Sequence, residues 1–179
     1  CWSSFLLEDS VKLISAYGGG ELFSCLENDD VHSNLFHPSR LNGVQSLLVS
    51  SATAANLVML GAGYFCPLKG FHDKKNSFSI CDEMKMINGL VWPIPVLNLV
   101  DSASGVKAGD YLALKDPSRV GYPILAYQKV DSVENINDTE KEAMARKIYG
   151  TSDNRHPGVA NFLNQGSVAI AGEVVVKNY

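Results

Sequence analysis

Residues 51 to 71, SATAANLVMLGAGYFCPLKGF, restrict the fold more than any other stretch of the chain. Ala54, Ala55, Val58, Met59 and Ala62 recur at helical spacing, which predicts a helix that buries this face. Ser51 is placed to cap its start by accepting a backbone N–H. Gly61 and Gly63 stand where it must stop, and glycine tolerates the left-handed backbone that such a stop needs. The chain then turns through Pro67 toward Gly70.

A lysine in a glycine-rich loop also suggests a phosphate cradle, and the spacing argues against it. A dinucleotide fingerprint needs G-x-G-x-x-G between a strand and a helix, but Cys66 holds the third glycine position and the helix comes first. A P-loop needs Gly before its Lys and Ser or Thr after it, whereas Leu68 and Gly70 flank Lys69. The glycines are therefore assigned a structural role.

Beyond this stretch, a second helix is expected over Ser79 to Ile87, closed by Asn88-Gly89. The character then changes to strands. LVWPIPVLNLV (90 to 100) is rich in β-formers, with Pro93 and Pro95 pushing its start to a sheet edge. SLLVSS (46 to 51), AGDYLALKD, YPILAYQKV and SVAIAGEVVVKNY supply further strands. Thr139 to Gly150 reads as an amphipathic helix with Thr139 and Glu142 as its capping box, and Pro157 opens another helix running to Asn164. Residues 1 to 12 read as an N-terminal extension, and 27 to 46 as surface loop. The sum is a mixed α+β domain with a largely antiparallel, barrel-like sheet.

The chain has 179 residues and a net charge of −4, with no run of Lys or Arg, which argues against nucleic acid or a membrane surface as partner. The apolar run from Leu90 to Val100 is too short and interrupted to span a bilayer. Cys1, Cys25, Cys66 and Cys81 lie far apart, which favours reduced thiols and a cytoplasmic location over a disulfide framework or a zinc site. No signal peptide is visible, and the opening on Cys1 rather than Met reads as a fragment or a processed chain.

Few residues stand out as chemistry. SDNRHPGV (152 to 159) sets Arg155 and His156 beside a helix start, where an anion could bind, although a solvated, capped turn is the more economical account. His32 and His37 share a loop without a third ligand, so no metal site is assigned. Glu140 and Glu142 read as exposed helix charge. Trp92 and the tyrosines read as core or interface.

Taken in order, six segments resemble one family. LISAYGGGEL (13 to 22), LLVSSATAANLVMLGAGYFCPLKGF (47 to 71) and GLVWPIPVLNLV (89 to 100) are similar to the N-terminal domain of ATP sulfurylase, also called sulfate adenylyltransferase. GDYLALKDP (109 to 117), KIYGTSDNRHPGV (147 to 159) and VAIAGEVVV (168 to 176) continue the match, and LGAGYF most resembles the dissimilatory type. The resemblance implies a PUA-like, mostly antiparallel β-barrel over 13 to 179 with peripheral helices. It implies a parent enzyme that joins ATP, accompanied by magnesium, to sulfate, forming adenosine 5′-phosphosulfate and pyrophosphate. Its implied partners are the catalytic domain of the same enzyme and further copies of the parent. The family's catalytic segments (Q-x-R-N, N-P-x-H-x-x-H and G-R-D-H) occur nowhere in these residues, so no catalytic or cofactor-binding residue is assigned and the chain alone is expected to be inactive. Arg155 and His156 are the residues expected closest to substrate. One departure is visible: the family's usual PHGG is AYGG here, with Ala16 and Tyr17 in place of Pro and His. The competing expectation is a stand-alone PUA-like module that binds RNA, which the acidic balance disfavours.

Overall fold

The computed structural model describes residues 15–18, 20–27 and 36–177. The sequence expectations for residues 1 to 12 and for His32 lie outside these. The described elements run α1 (Pro38–Leu41), β1 (Gln45–Leu48), α2 (Ser51–Gly61), β2 (Gly70–Phe71), α3 (Lys74–Glu83), β3 (Leu99–Val100) and β4 (Tyr111–Lys115). They continue with β5 (Ile124–Lys129), β6 (Ser132–Asn135), α4 (Asp138–Tyr149), α5 (Pro157–Leu163) and β7 (Val168–Val176).

One curled sheet of seven strands carries the molecule, in the order β1-β4-β5-β7-β2, with β3 and β6 also pairing β7. Every pairing is antiparallel except β1 on β4. The α+β, largely antiparallel, barrel-like expectation matches this architecture. β7 is the hub. Its first half pairs β6 through Val168–Ala171, and its second half pairs β5 through Val174–Val176. Gly172 sits at the junction, and a Cβ there would lie 1.9 Å from the Lys129 carbonyl oxygen. A side chain would keep the β5–β6 connection from folding down onto β7 and so would flatten the curl.

The helix ends follow their caps. Ser50, one residue before the expected Ser51, caps α2 by accepting from the Thr53 N–H at 3.0 Å. The stop is at Gly63, φ +77°, where the left-handed backbone lets the Gly63 N–H reach Leu60 O and the Tyr64 N–H reach Met59 O. α3 starts five residues earlier than expected, because Asp73 caps it through the Asn76 N–H, and it ends at the left-handed Met84 rather than at Asn88-Gly89. The capping box of α4 is Asn137 with Glu140, two residues before the expected Thr139 and Glu142. Glu140 is thus a cap and an ion-pair partner of Lys74 at 2.7 Å, not a free surface charge. Pro157 opens α5 as expected.

α2 buries the opposite face from the expected one. Thr53, Leu57, Leu60 and Gly61 point into the core, while Ala55, Val58, Met59 and Ala62 are exposed. The reason is compositional. α2 is apolar on both sides, so spacing alone does not say which side the sheet takes.

Two apolar clusters fill the interior. The larger joins Leu57, Leu60, Phe71, Trp92, Leu112, Leu114 and Val174 across the sheet. The smaller lies under α4 and α5 and contains Leu97, Leu99, Ile136, Met144, Val159 and Phe162. In the interior, Asn98 Nδ2 donates to Gln128 Oε1 at 2.9 Å, and Gln128 Nε2 donates to the Ile170 carbonyl at 3.0 Å. Both side chains are fully buried, and this short chain satisfies them except for Asn98 Oδ1. Only Leu99–Val100 of the expected strand 90–100 joins the ladder. Pro95 and Val96 to Asn98 are buried without being strand residues.

Candidate functional site

A cleft of about 1060 Å³ is walled by the end of the opening motif (Pro67 to Phe71), by His72 and Asp73, by the turn 86–90, and by Asp131, Ser132 and Gly172–Glu173. Its floor is the β2–β7 crossing. Gly70 faces Glu173 and Phe71 faces Gly172, and the Val174 N–H donates to Lys69 O at 2.9 Å. The loop backbone is therefore engaged in the sheet rather than wrapped around an anion. A Cβ at Gly70 would sit 2.0 Å from Gly172 O, so this glycine is required by the close approach of two strands.

The other walls are held by local chemistry. His72 is buried and exchanges two bonds with Val96: its N–H donates to Val96 O, and its Nδ1 accepts from the Val96 N–H, both at 2.9 Å. Nδ1 as acceptor places the proton on Nε2, which lies 3.2 Å from Met86 Sδ. Burial lowers the imidazole pKa to about 4, with the Asp73 carboxylate acting weakly in the other sense. The ring is neutral, and both nitrogens are occupied. Asp73 accepts from Asn76 at the start of α3, and Ser132 donates to Glu134 Oε2 at 3.0 Å. Tyr17, which stands where the resembled family has His, donates to Val91 O at 2.6 Å, and Gly18 rests beside Pro67 at the rim. His72, Asp73 and Ser132 are thus each engaged in hydrogen bonds of the fold.

Arg155 and His156 lie elsewhere, on the turn into α5. Arg155 is exposed, and its guanidinium is held by Asp153 through Nε at 2.8 Å and Nη2 at 2.5 Å. That pairing holds the Asp153 carboxyl below the usual range. His156 caps α5 by accepting from the Val159 N–H and lies 5.4 Å from the Tyr149 ring. The structure brings these two residues to one turn and not to the cleft. Among the described residues no three His, Cys, Asp or Glu side chains converge as a metal site would require. Cys66 and Cys81 are free thiols, and burial, with Asp82 adding to it, pushes Cys81 up to about 12. No helix among the described residues is long and apolar enough to cross a membrane.

Sequence reasoning missed most of the cleft, because its walls come from separate stretches of sequence that meet only in the folded chain. One signal was available. Gly172 interrupts the apolar run of β7, and such a glycine marks a close backbone approach.

Comparison with known proteins places the chain. The PUA-like domain family matches residues 14–179. The sulfate adenylyltransferase of Alcanivorax borkumensis is 37% identical over 94% of this chain and 42% of its own length. That of Allochromatium vinosum is 41% identical over 79% and 36%, and that of Thiobacillus denitrificans 39% over 92% and 39%. The chain thus spans about two fifths of the length of these relatives. Among solved structures, the hexameric APS kinase from Thiobacillus denitrificans covers 92% of this chain and 27% of its own, with a TM-score of 0.61 and 22% identity, a likeness of fold. The chain belongs to the PUA-like domain family and is homologous to the N-terminal region of sulfate adenylyltransferases.

Proposed function

We propose that the chain serves as the N-terminal domain of a sulfate adenylyltransferase, which forms adenosine 5′-phosphosulfate and pyrophosphate from ATP and sulfate. The observation that carries the reading is coverage: relatives of that name match nearly the whole of this chain with only two fifths of their own length. Attack of sulfate on the α-phosphate needs cationic side chains and N–H groups converging on several oxyanions. The cleft offers Lys69 among Asp73, Asp131 and Glu173, a balance unsuited to that task. In this reading the chemistry, and the magnesium that accompanies ATP, belong to the catalytic portion of the enzyme, and this domain supports that portion and its assembly in the cytoplasm. Residues 13–179 form the domain, and the turn at Arg155 and His156 is the element nearest substrate.

The test is a fusion of this chain to the catalytic portion of the Allochromatium vinosum enzyme, assayed for sulfate-dependent release of pyrophosphate from ATP. The fusion is expected to turn over and the chain alone to be inert. A folded but inactive fusion, or turnover by the chain alone, would overturn the reading.

A further inference from the structure

α2 has no charged residue, and its inward face is already filled by Thr53, Leu57, Leu60 and Gly61. Its outward face carries Ala55, Val58, Met59 and Ala62 at i, i+3, i+4 and i+7, with Val58 47% and Met59 37% exposed. The patch continues past the helix end. Tyr64, 75% exposed, bonds through its N–H to Met59 O, and Leu22, 76% exposed, adjoins Phe23, whose carbonyl rests on Gly63. The other long helices differ: α3 exposes Lys75, Asp82 and Glu83, and α4 exposes Glu142, Arg146 and Lys147. A helix that is apolar all round belongs in an interior, and a contiguous apolar patch marks an interaction surface.

We propose that the outward face of α2 is the surface on which the catalytic portion of the full-length enzyme packs, an inference that rests on the function proposed above. Position selects this occupant over a second copy. β7 ends against the last turn of α2, on its inward side: a Cβ on Gly61 would lie 3.0 Å from the Val176 side chain. The Val176 N–H donates to Cys25 O, and the Cys25 N–H donates to Leu60 O. The backbone passing Lys177 therefore runs next to the last turn of α2. In the Alcanivorax borkumensis relative, this chain accounts for 42% of the length, so the remainder is large enough to cover the face. The surface that meets it is apolar, since α2 presents nothing to pair a charge, and flexible Met59 adapts to its contour.

Cysteine labelling tests this directly. Val58→Cys, and Glu142→Cys on the charged face of α4 as a control, are treated with a maleimide in the chain alone and in the fusion described above. Labelling at each position is read by peptide mass. The thiol at position 58 is expected to react about tenfold more slowly in the fusion, as at the water-excluded centre of an interface, with position 142 unchanged. Equal rates at position 58 in an active fusion overturn the docking while leaving the proposed function intact. Protection in the chain alone that grows with concentration assigns the face to a second copy and also overturns it. An inactive fusion counts against the function, whatever the labelling shows.

Discussion

Gly70 and Gly172 approach so closely that a methyl group on the first would lie 2.0 Å from the carbonyl oxygen of the second. The contact is backbone to backbone, so no side-chain rotation relieves it. Gly70→Ala is expected to destabilise the chain by at least about 2 kcal/mol. Gly20→Ala, where nothing lies within 4 Å, should stay within about 0.5 kcal/mol. Urea unfolding of both variants measures the difference, and equal midpoints would refute the packing role of Gly70.

His72 predicts an acid-sensitive fold. Its folded pKa is near 4 against the ordinary 6.5, so between these values the unfolded chain binds a proton that the folded chain refuses. Stability therefore holds above pH 6.5 and is lost as pH falls toward 4, by up to about 3 kcal/mol from this group. His72→Asn, whose Oδ1 can replace Nδ1 as the acceptor for Val96, should flatten this part of the profile. Denaturation midpoints at pH 5 and pH 7 decide the matter. A variant whose midpoint drops as steeply as the parent's would remove His72 as the cause.

Lys141 is a third testable point. It is 2% exposed, and its ammonium donates to Leu163 O at 2.7 Å and Gln165 O at 2.5 Å, placing a cation on the carbonyl end of α5. Burial lowers its pKa, opposed by Asp138 and Asp101. Lys141→Met keeps most of the volume and leaves those carbonyls without their donor, at an expected cost of about 1–3 kcal/mol. Unfolding of the variant at neutral pH reads this out, and parental stability would show that the two bonds contribute nothing net.

Arg155→Ala tests the turn before α5. In the active fusion it is expected to lower turnover about tenfold, as loss of a substrate-positioning cation does. The unfolding midpoint of the chain alone should not change, because the side chain is exposed and its partner, Asp153, lies on the same turn. Parental kinetics would exclude the turn from the substrate path.

The legible parts of the fold were those with local causes. β4, β5 and β7 follow runs of β-formers, and α4 and α5 follow their caps and Pro157. β6, Ser132–Asn135, is short and polar and becomes a strand only by lying on β7. α3 was displaced because Asp73 starts a helix whose first turn, Lys74 to Ser77, has little apolar periodicity. The face of α2 was inverted for a related reason: both sides are apolar, and only the sheet chooses between them. The cleft was illegible because residues 67–73, 86–90, 131–132 and 172–173 are separate in sequence and meet only in the folded sheet.

The hub position of β7 also fixes the order of events at the ribosome. β2, β3, β5 and β6 all take β7 as a partner, and Leu26 bridges to Val176 from the other end of the described chain. Contacts of such sequence separation form slowly, and none of these can form before residue 168 is available. Four strands must therefore wait with unpaired edges while the middle of the chain is synthesised. The interval before β7 emerges is the period of greatest exposure to aggregation.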